Sequence, residues 1–356
     1  MSARSISPRP RVLIVDDSAL MRALLKRMLA ADGDIDVVGA ACDAEEARAL
    51  IPRLAPDVIT LDVELPGMNG ITFLERLMRS RPMPVIIVSS HTVSGASATI
   101  QALQAGALDV VAKPARRSDM EGFARALRDK VRGARHARLP GFRPAPSTPR
   151  AIRPTASAHG RRLIAIGAST GGVGAISSVL AQLPADMPPI VITQHMPPGY
   201  LERLAHRLAH QLSRDVAPAE EGEVLAPGMI RLAPSDRHLT VSGRAPHYRV
   251  RLSDGPPVSG HRPSVDVLFN SVAQSAGSDA LGVLMTGMGR DGAAGLKAMR
   301  DAGAYCIGQS RDSCVVYGMP RAAAELGAVD EEIDLDEIAQ KIVSVVTLPL
   351  ISQAAK

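Results

Sequence analysis

The chain has 356 residues, enough for two domains of ordinary size. Hydrophobic residues make up 46% but aromatics only 2%, with no Trp, so the cores must be aliphatic, as in helices packed on parallel sheets. The formal charge is +5, but the stretch from Arg132 to Arg162 holds eight arginines and no acid, and without it the remainder stands at −3; the basic balance belongs to a linker and weakens a nucleic-acid reading based on charge alone.

Three cysteines, Cys42, Cys306 and Cys314, form no CxxC pair, so neither a zinc site nor a disulfide framework is signalled. Residues 1–10 lack the apolar region of a secretory signal, and no run approaches the roughly 18 apolar residues of a membrane helix. The expectation is a soluble, cytoplasmic protein without membrane insertion.

In chain order, Arg11–Val15 reads as a buried strand, followed by Leu20, Leu24, Leu25 and Met28 at helical spacing, with Ser18 as the cap. Asp36–Ala40, Val58–Leu61, Val85–Val88 and Leu108–Val111 are further strands. Helical patterns such as Ala44–Leu54 and Ile71–Ser80 separate them. Five strands alternating with five helices predict a doubly wound parallel sheet, flavodoxin-like, over residues 9–132. A last helix from Asp119 to Arg132 leads into an Arg/Pro-rich segment, 133–160, that reads as an extended linker.

The alternation restarts over residues 161–350. Strands are predicted at Leu163–Ile166, Ile190–Thr193, Met229–Leu232, His238–Val241, Leu281–Met285 and Tyr305–Ile307. Helices are predicted at Val173–Gln182, Tyr200–Gln211, Val265–Ala276, Ala293–Ala302 and Leu335–Val345. This half also reads as a doubly wound, mainly parallel α/β domain.

In the first half, Asp16 and Asp17 end the first strand, Asp62 ends the third, and Lys113 follows the fifth. Groups at the carboxyl ends of parallel strands converge in one crevice. Carboxylates gathered there repel unless a hard cation joins them, and Mg²⁺ suits a few carboxylates with water and phosphate oxygens. The cluster therefore reads as an Mg²⁺ site of Asp16, Asp17 and Asp62 beside a phosphorylatable aspartate. Residues 11–131 resemble a bacterial response-regulator receiver domain in Asp16–Asp17, in Asp62 within LDVELPGMNG, in Ser89 within VSS and in Lys113–Pro114. The resemblance implies that Asp62 is the phosphoacceptor, that Asp16 and Asp17 serve Mg²⁺, and that Ser89 and Lys113 respond to the phosphoryl group. Val110 stands where many receivers carry an aromatic switch residue, so an aromatic swing is not available.

In the second half, a strand runs into GASTGG, residues 167–172, which places Ser169 at the exposed sheet edge before a helix N-terminus. Alone, this turn fits a catalytic serine or a phosphate-binding loop equally. Two more strand ends carry His195, in QHMP, and Asp291, in TGMGRDG. A serine hydroxyl needs a base, and a carboxylate fixes the tautomer of that base, so the three together suggest nucleophilic catalysis. The glycines around Met288 offer a backbone N–H to an oxyanion. Asp291 could instead cap the helix beginning near Gly292. His206 and His210 have metal-pair spacing, but Arg207 replaces the glutamate of a zinc-protease motif, so they read as a helix face. His238, His247 and His261 lack comparable strand-end partners.

Residues 161–347 resemble the catalytic domain of chemotaxis receptor protein-glutamate methylesterases in IGASTGG, TQHMPPGY, TGMGRDG and VVYGMPRAA, and the order of receiver, linker and catalytic domain matches too. The resemblance implies Ser169 as nucleophile, His195 as base and Asp291 as its orienting partner, with Thr170 and the Met288 N–H in the same site. It implies hydrolysis of glutamate γ-methyl esters and deamidation of selected glutamines on chemotaxis receptors for sensory adaptation, with no cofactor for the esterase step. A chemotaxis histidine kinase would be the phosphodonor, and phosphorylation would relieve an obstructed catalytic crevice. A receiver-controlled DNA-binding output would be far shorter and would carry its basic residues on a recognition helix. A nucleotide-binding reading of GASTGG lacks the GxGxxG spacing and a ribose-binding acid.

Overall fold

A computed structural model describes residues 9–65, 69–90, 92–135, 137–139 and 162–347. The chain divides into two units between Phe142 and Arg143. Most of the predicted 133–160 linker and the N-terminal residues 1–8 lie outside the described residues.

The first unit runs β1 (Arg11–Val15), α1 (Ala19–Ala30), β2 (Asp36–Ala41), α2 (Ala44–Leu54), β3 (Val58–Leu61), α3 (Gly70–Ser80), β4 (Val85–Ser89), α4 (Val93–Gln104), β5 (Asp109–Ala112) and α5 (Met120–Ala134). The strands order as β2-β1-β3-β4-β5, all parallel, which is the flavodoxin-like arrangement. β1, β3 and β4 are continuous aliphatic runs, buried because helices cover both sheet faces. Ser18 and Asp43 cap α1 and α2 by accepting the N–H groups of Met21 and Glu46. Of the four spaced positions, Leu20 is 71% exposed, while Leu25 and Met28 are buried together with Leu29. The spacing predicted the right helix but included a residue from its first, outward-facing turn.

The second unit runs β6 (Leu163–Ala168), α6 (Gly172–Gln182), β7 (Ile190–Gln194), α7 (Leu201–Leu212), β8 (Val216–Pro218), β9 (Ile230–Leu232), β10 (His238–Arg244), β11 (His247–Ser253), α8 (Val265–Ala276), β12 (Ala280–Leu284), α9 (Ala293–Asp301), β13 (Tyr305–Gln309), α10 (Met319–Glu325), β14 (Glu331–Ile333) and α11 (Leu335–Thr347). Seven strands form one parallel sheet in the order β14-β13-β12-β6-β7-β9-β8. β10 and β11 pair separately as an antiparallel hairpin. Between β6 and β12 the chain reverses its direction across the sheet, and such a switch point opens a crevice at the carboxyl ends of the strands. α8 and α9 pack on one side of this region, burying Leu268, Phe269, Leu296 and Met299.

Candidate active site and phosphoacceptor cluster

The three residues proposed for catalysis follow three neighbouring strands. Ser169 follows β6, His195 follows β7, and Asp291 lies in the loop after β12. Ala168 pairs with Gln194 in the β6–β7 register, so Ser169 and His195 are the next residues along adjacent strands. The Gln194 side chain joins them from beneath, its Nε2 donating to the carbonyls of Ser169 at 2.9 Å and His195 at 3.0 Å. On the other flank, the Ser169 N–H donates to the Thr286 carbonyl at 3.0 Å, and the Thr286 hydroxyl donates to the carbonyl of the buried Thr170. Gly287 permits this approach: a Cβ there would stand 2.7 Å from the Ser169 Cβ and 2.2 Å from the Met319 Sδ.

Asp291 is buried at 2% exposure and accepts five hydrogen bonds. His195 Nε2 and the Val265 N–H reach Oδ2, each at 2.8 Å. The Ser264 hydroxyl, at 2.8 Å, and the N–H groups of Asp266 and Gly292 reach Oδ1. Three of these donors are the first residues of α8 and its cap. The carboxylate therefore sits on a helix N-terminus, where orphan N–H groups and the helix dipole favour negative charge. Burial alone would raise its carboxyl, but the hydrogen bond from His195 and those from Asp266 and Val265 outweigh burial and hold the pKa at about 2. The contact with Gly292 is real, yet the capping reading is corrected in its main point: Asp291 serves chiefly the end of α8, not that of α9.

An ionised Asp291 fixes the His195 proton on Nε2. The other ring nitrogen, Nδ1, is buried and has no hydrogen-bond partner. This reverses the usual Ser-His-Asp pairing, in which Nδ1 faces the carboxylate. The Ser169 hydroxyl is not hydrogen-bonded to the ring in this structure. The loop 286–292 passes beside Ser169, and the Met288 N–H has no acceptor among the described residues.

Several neighbours escaped the sequence reading. His261 stacks on His195 with ring centroids 3.8 Å apart and an interplanar angle of 10°. The expectation that His261 has no partner at the strand ends is thereby corrected: the β11–α8 loop, which no periodicity describes, carries it there. His238 is buried, accepts the Ser264 N–H on Nδ1 and contacts the Pro256 carbonyl through Nε2, so it braces the residue that clamps Asp291. His206 and His210 lie exposed on α7, as a helix face.

In the first unit, Asp16, Asp17 and Asp62 bring carboxylate oxygens within 4.8 Å of one another. Lys113 Nζ reaches Asp16 at 2.9 Å and Asp62 at 2.5 Å. Arg22 holds the Asp16 and Asp17 carbonyls, each at 2.8 Å, a brace the sequence did not announce. Burial pushes the Asp62 carboxyl above its ordinary value, against the pull of Lys113 and the Glu64 N–H. Burial alone would lower the Lys113 ammonium, but its bonds to Asp62 and Asp16 raise it. Ser89 ends β4 but is engaged away from this cluster: its hydroxyl accepts from Thr99 at 2.7 Å and donates to the Ser90 and Gly95 carbonyls. Val110, at the position of the aromatic switch, is buried in β5.

Comparison with known proteins matches residues 164–342 to the CheB methylesterase family and residues 12–124 to the response regulator receiver domain. A curated protein-glutamate methylesterase/protein-glutamine glutaminase of Agrobacterium fabrum is 50% identical over 96% of this chain and 98% of its own length. The protein of the same name from Salmonella typhi is 48% identical over 94% of this chain and 96% of its own. The crystal structure of the Thermotoga maritima CheB methylesterase catalytic domain covers 52% of this chain and 98% of that one, with a TM-score of 0.50 and 33% identity. Taken with the two parallel sheets and their strand-end clusters, these matches show that the chain belongs to the CheB methylesterase family, with a response-regulator receiver domain ahead of its catalytic domain.

Proposed function

We propose that the protein is a phosphorylation-activated protein-glutamate methylesterase and glutaminase acting on chemotaxis receptors in sensory adaptation. The observation that carries the reading is the Asp291–His195 pair, which joins residues beyond the ends of β12 and β7, the two strands that flank β6 and Ser169, and leaves Nδ1 of the ring unengaged. Nδ1 takes the Ser169 proton as Oγ attacks the γ-ester carbonyl. The negative charge that develops on the carbonyl oxygen is received by the Met288 N–H. Nδ1–H then protonates the leaving methoxide, and methanol departs. Water, deprotonated by Nδ1, splits the acyl-enzyme to a glutamate carboxylate and free serine. A glutamine side chain follows the same course with ammonia as leaving group. Asp291 stays ionised throughout and steadies the imidazolium.

For the receiver, Asp62 is the proposed phosphoacceptor and a chemotaxis histidine kinase the donor. Three converging carboxylates suit Mg²⁺, which Asp16, Asp17 and Asp62 would hold and which would neutralise phosphate charge there. Lys113 would pair with the phosphoryl oxygens, and the Ser89 hydroxyl would leave Thr99 to reach them. Phosphorylation must favour the active arrangement by differential contacts of this kind. The test is methanol release from methylated receptor membranes: wild type releases it, phosphodonor stimulates it, and Ser169→Ala abolishes it. Full activity in Ser169→Ala would end the hydrolase assignment to this serine.

A further inference from the structure

We infer that His261 is a positioning residue for the general base: its imidazole, lying flat on the His195 ring, fixes the plane of that ring so that Nδ1 keeps one orientation, free to take the Ser169 proton, while Nε2 stays on Asp291. The inference rests on the proposed role of His195.

A ring held by one hydrogen bond can roll about that bond. His195 is anchored at Nε2 by Asp291, and its Nδ1 has no partner that would stop the roll. A second flat ring 3.8 Å away and tilted by 10° supplies the missing restraint over a whole face. Stacking restrains the plane without engaging Nδ1, so the base keeps its lone pair for the serine proton. A hydrogen bond to Nδ1 would hold the ring as firmly and remove its basicity. When His195 becomes an imidazolium, the adjacent π-face is also a favourable neighbour for the charge.

The loop that presents His261 is itself braced. His261 and Val258 exchange backbone hydrogen bonds at 2.9 and 3.0 Å, closing a turn through Ser259 and Gly260, both at positive φ. Arg262 ties the loop back to the Asp254 and Gly255 carbonyls at 3.1 Å each. Three residues past His261, Ser264 caps α8 and donates its hydroxyl to Asp291. One short segment thus holds both members of the base: Ser264 clamps the carboxylate, and His261 covers the ring.

The test uses the full-length protein and three substitutions at His261, with methanol release from methylated receptor membranes as the activity and the rate of fluorophosphonate labelling as a second readout of serine activation. His261→Ala should lower kcat by about 10- to 100-fold, the scale of a small misplacement of a reacting group, with KM changed less than about twofold. Fluorophosphonate labelling should slow in parallel. His261→Phe keeps a flat ring and no nitrogen, and should stay within about threefold of wild type. His261→Leu keeps bulk without a plane and should fall with Ala, which serves if the Ala variant melts early in a thermal scan. Wild-type kcat in both Ala and Leu variants would overturn the inference, as would a folded Phe variant as slow as Ala. Ser169→Ala is run alongside: if it still labels at the wild-type rate, the nucleophile assignment fails, and that outcome is distinct from any result at His261.

Discussion

Asp291 accepts a hydrogen bond from Nε2–H of His195 at 2.8 Å, so the nitrogen left to act as base is Nδ1. The carboxylate can do this because α8 points its N-terminus at it. Ser264 and Asp266 donate to Oδ1, the oxygen that His195 does not use, and the Val265 N–H shares Oδ2 with the ring. Tautomer control and helix capping are here one arrangement.

Asp291→Asn tests that arrangement. The amide keeps the shape but can present its NH₂ to Nε2, which favours the proton on Nδ1 and removes the base. We expect kcat for methanol release to fall by about 10,000-fold with the fold retained, on the precedent of the same substitution in a serine-protease triad. A loss below tenfold would mean that Asp291 does not set the tautomer.

The same carboxylate links stability to pH. Its folded pKa, about 2, lies below the ordinary 3.8, so its contribution is present above about pH 4 and is lost as pH falls towards 2. The shift is equivalent to roughly 2 kcal/mol. Its neighbour Asp266 runs the other way: burial, then the nearby Asp291 charge, raises its carboxyl, so the fold favours the protonated form and loses that preference as pH rises through the raised value. Denaturant midpoints of the catalytic-domain transition, measured from pH 5 to 2, should fall in wild type and flatten in Asp291→Asn. Asp266→Asn should be no less stable than wild type at neutral pH, since its Oδ1 can still accept the Gly295 N–H.

Gly287→Ala forces a methyl group against Ser169 and Met319. Overpacking of this kind costs about 1–3 kcal/mol. Thermal unfolding should shift down, and methanol release should drop more than stability alone explains, because the clash falls on the nucleophile's own Cβ.

Removal of divalent cation separates the two units functionally. With chelator, transfer of phosphate from a small-molecule phosphodonor to Asp62 should cease, while basal methanol release stays unchanged. Asp62→Asn should behave like chelated wild type, with basal activity and no stimulation. Stimulation that persists in Asp62→Asn would place the acceptor elsewhere.

The strand ends were legible in the sequence because parallel sheets bury their strands as unbroken aliphatic runs. LIAI, IVIT and LGVLM announce themselves, and the chemistry-bearing residue follows each run. Elements that lack such a run were not found. β8 and β14 have three residues each, and β8 ends in Pro218. α10 opens on Met319–Pro320 and continues in alanines, which show no amphipathic stripe. β11 does alternate, but its arginines face outward and leave few apolar residues to count. His261, His238 and Ser264 were invisible as site residues for another reason. They act through a loop whose path is set by tertiary contacts, and no spacing along the chain encodes which ring they meet. Gln194 reads as the last residue of a strand, and its side chain becomes a brace only because β6 lies beside β7.

The most direct test of the central claim, that Ser169 is the nucleophile activated by His195, is to label the full-length protein with a fluorophosphonate and map the adduct by peptide mass spectrometry. The account predicts a single stoichiometric adduct on Ser169, its formation abolished in Ser169→Ala and greatly slowed in His195→Ala, with esterase activity lost as label accumulates. An adduct on another residue, or full methanol release from protein labelled at Ser169, would contradict it.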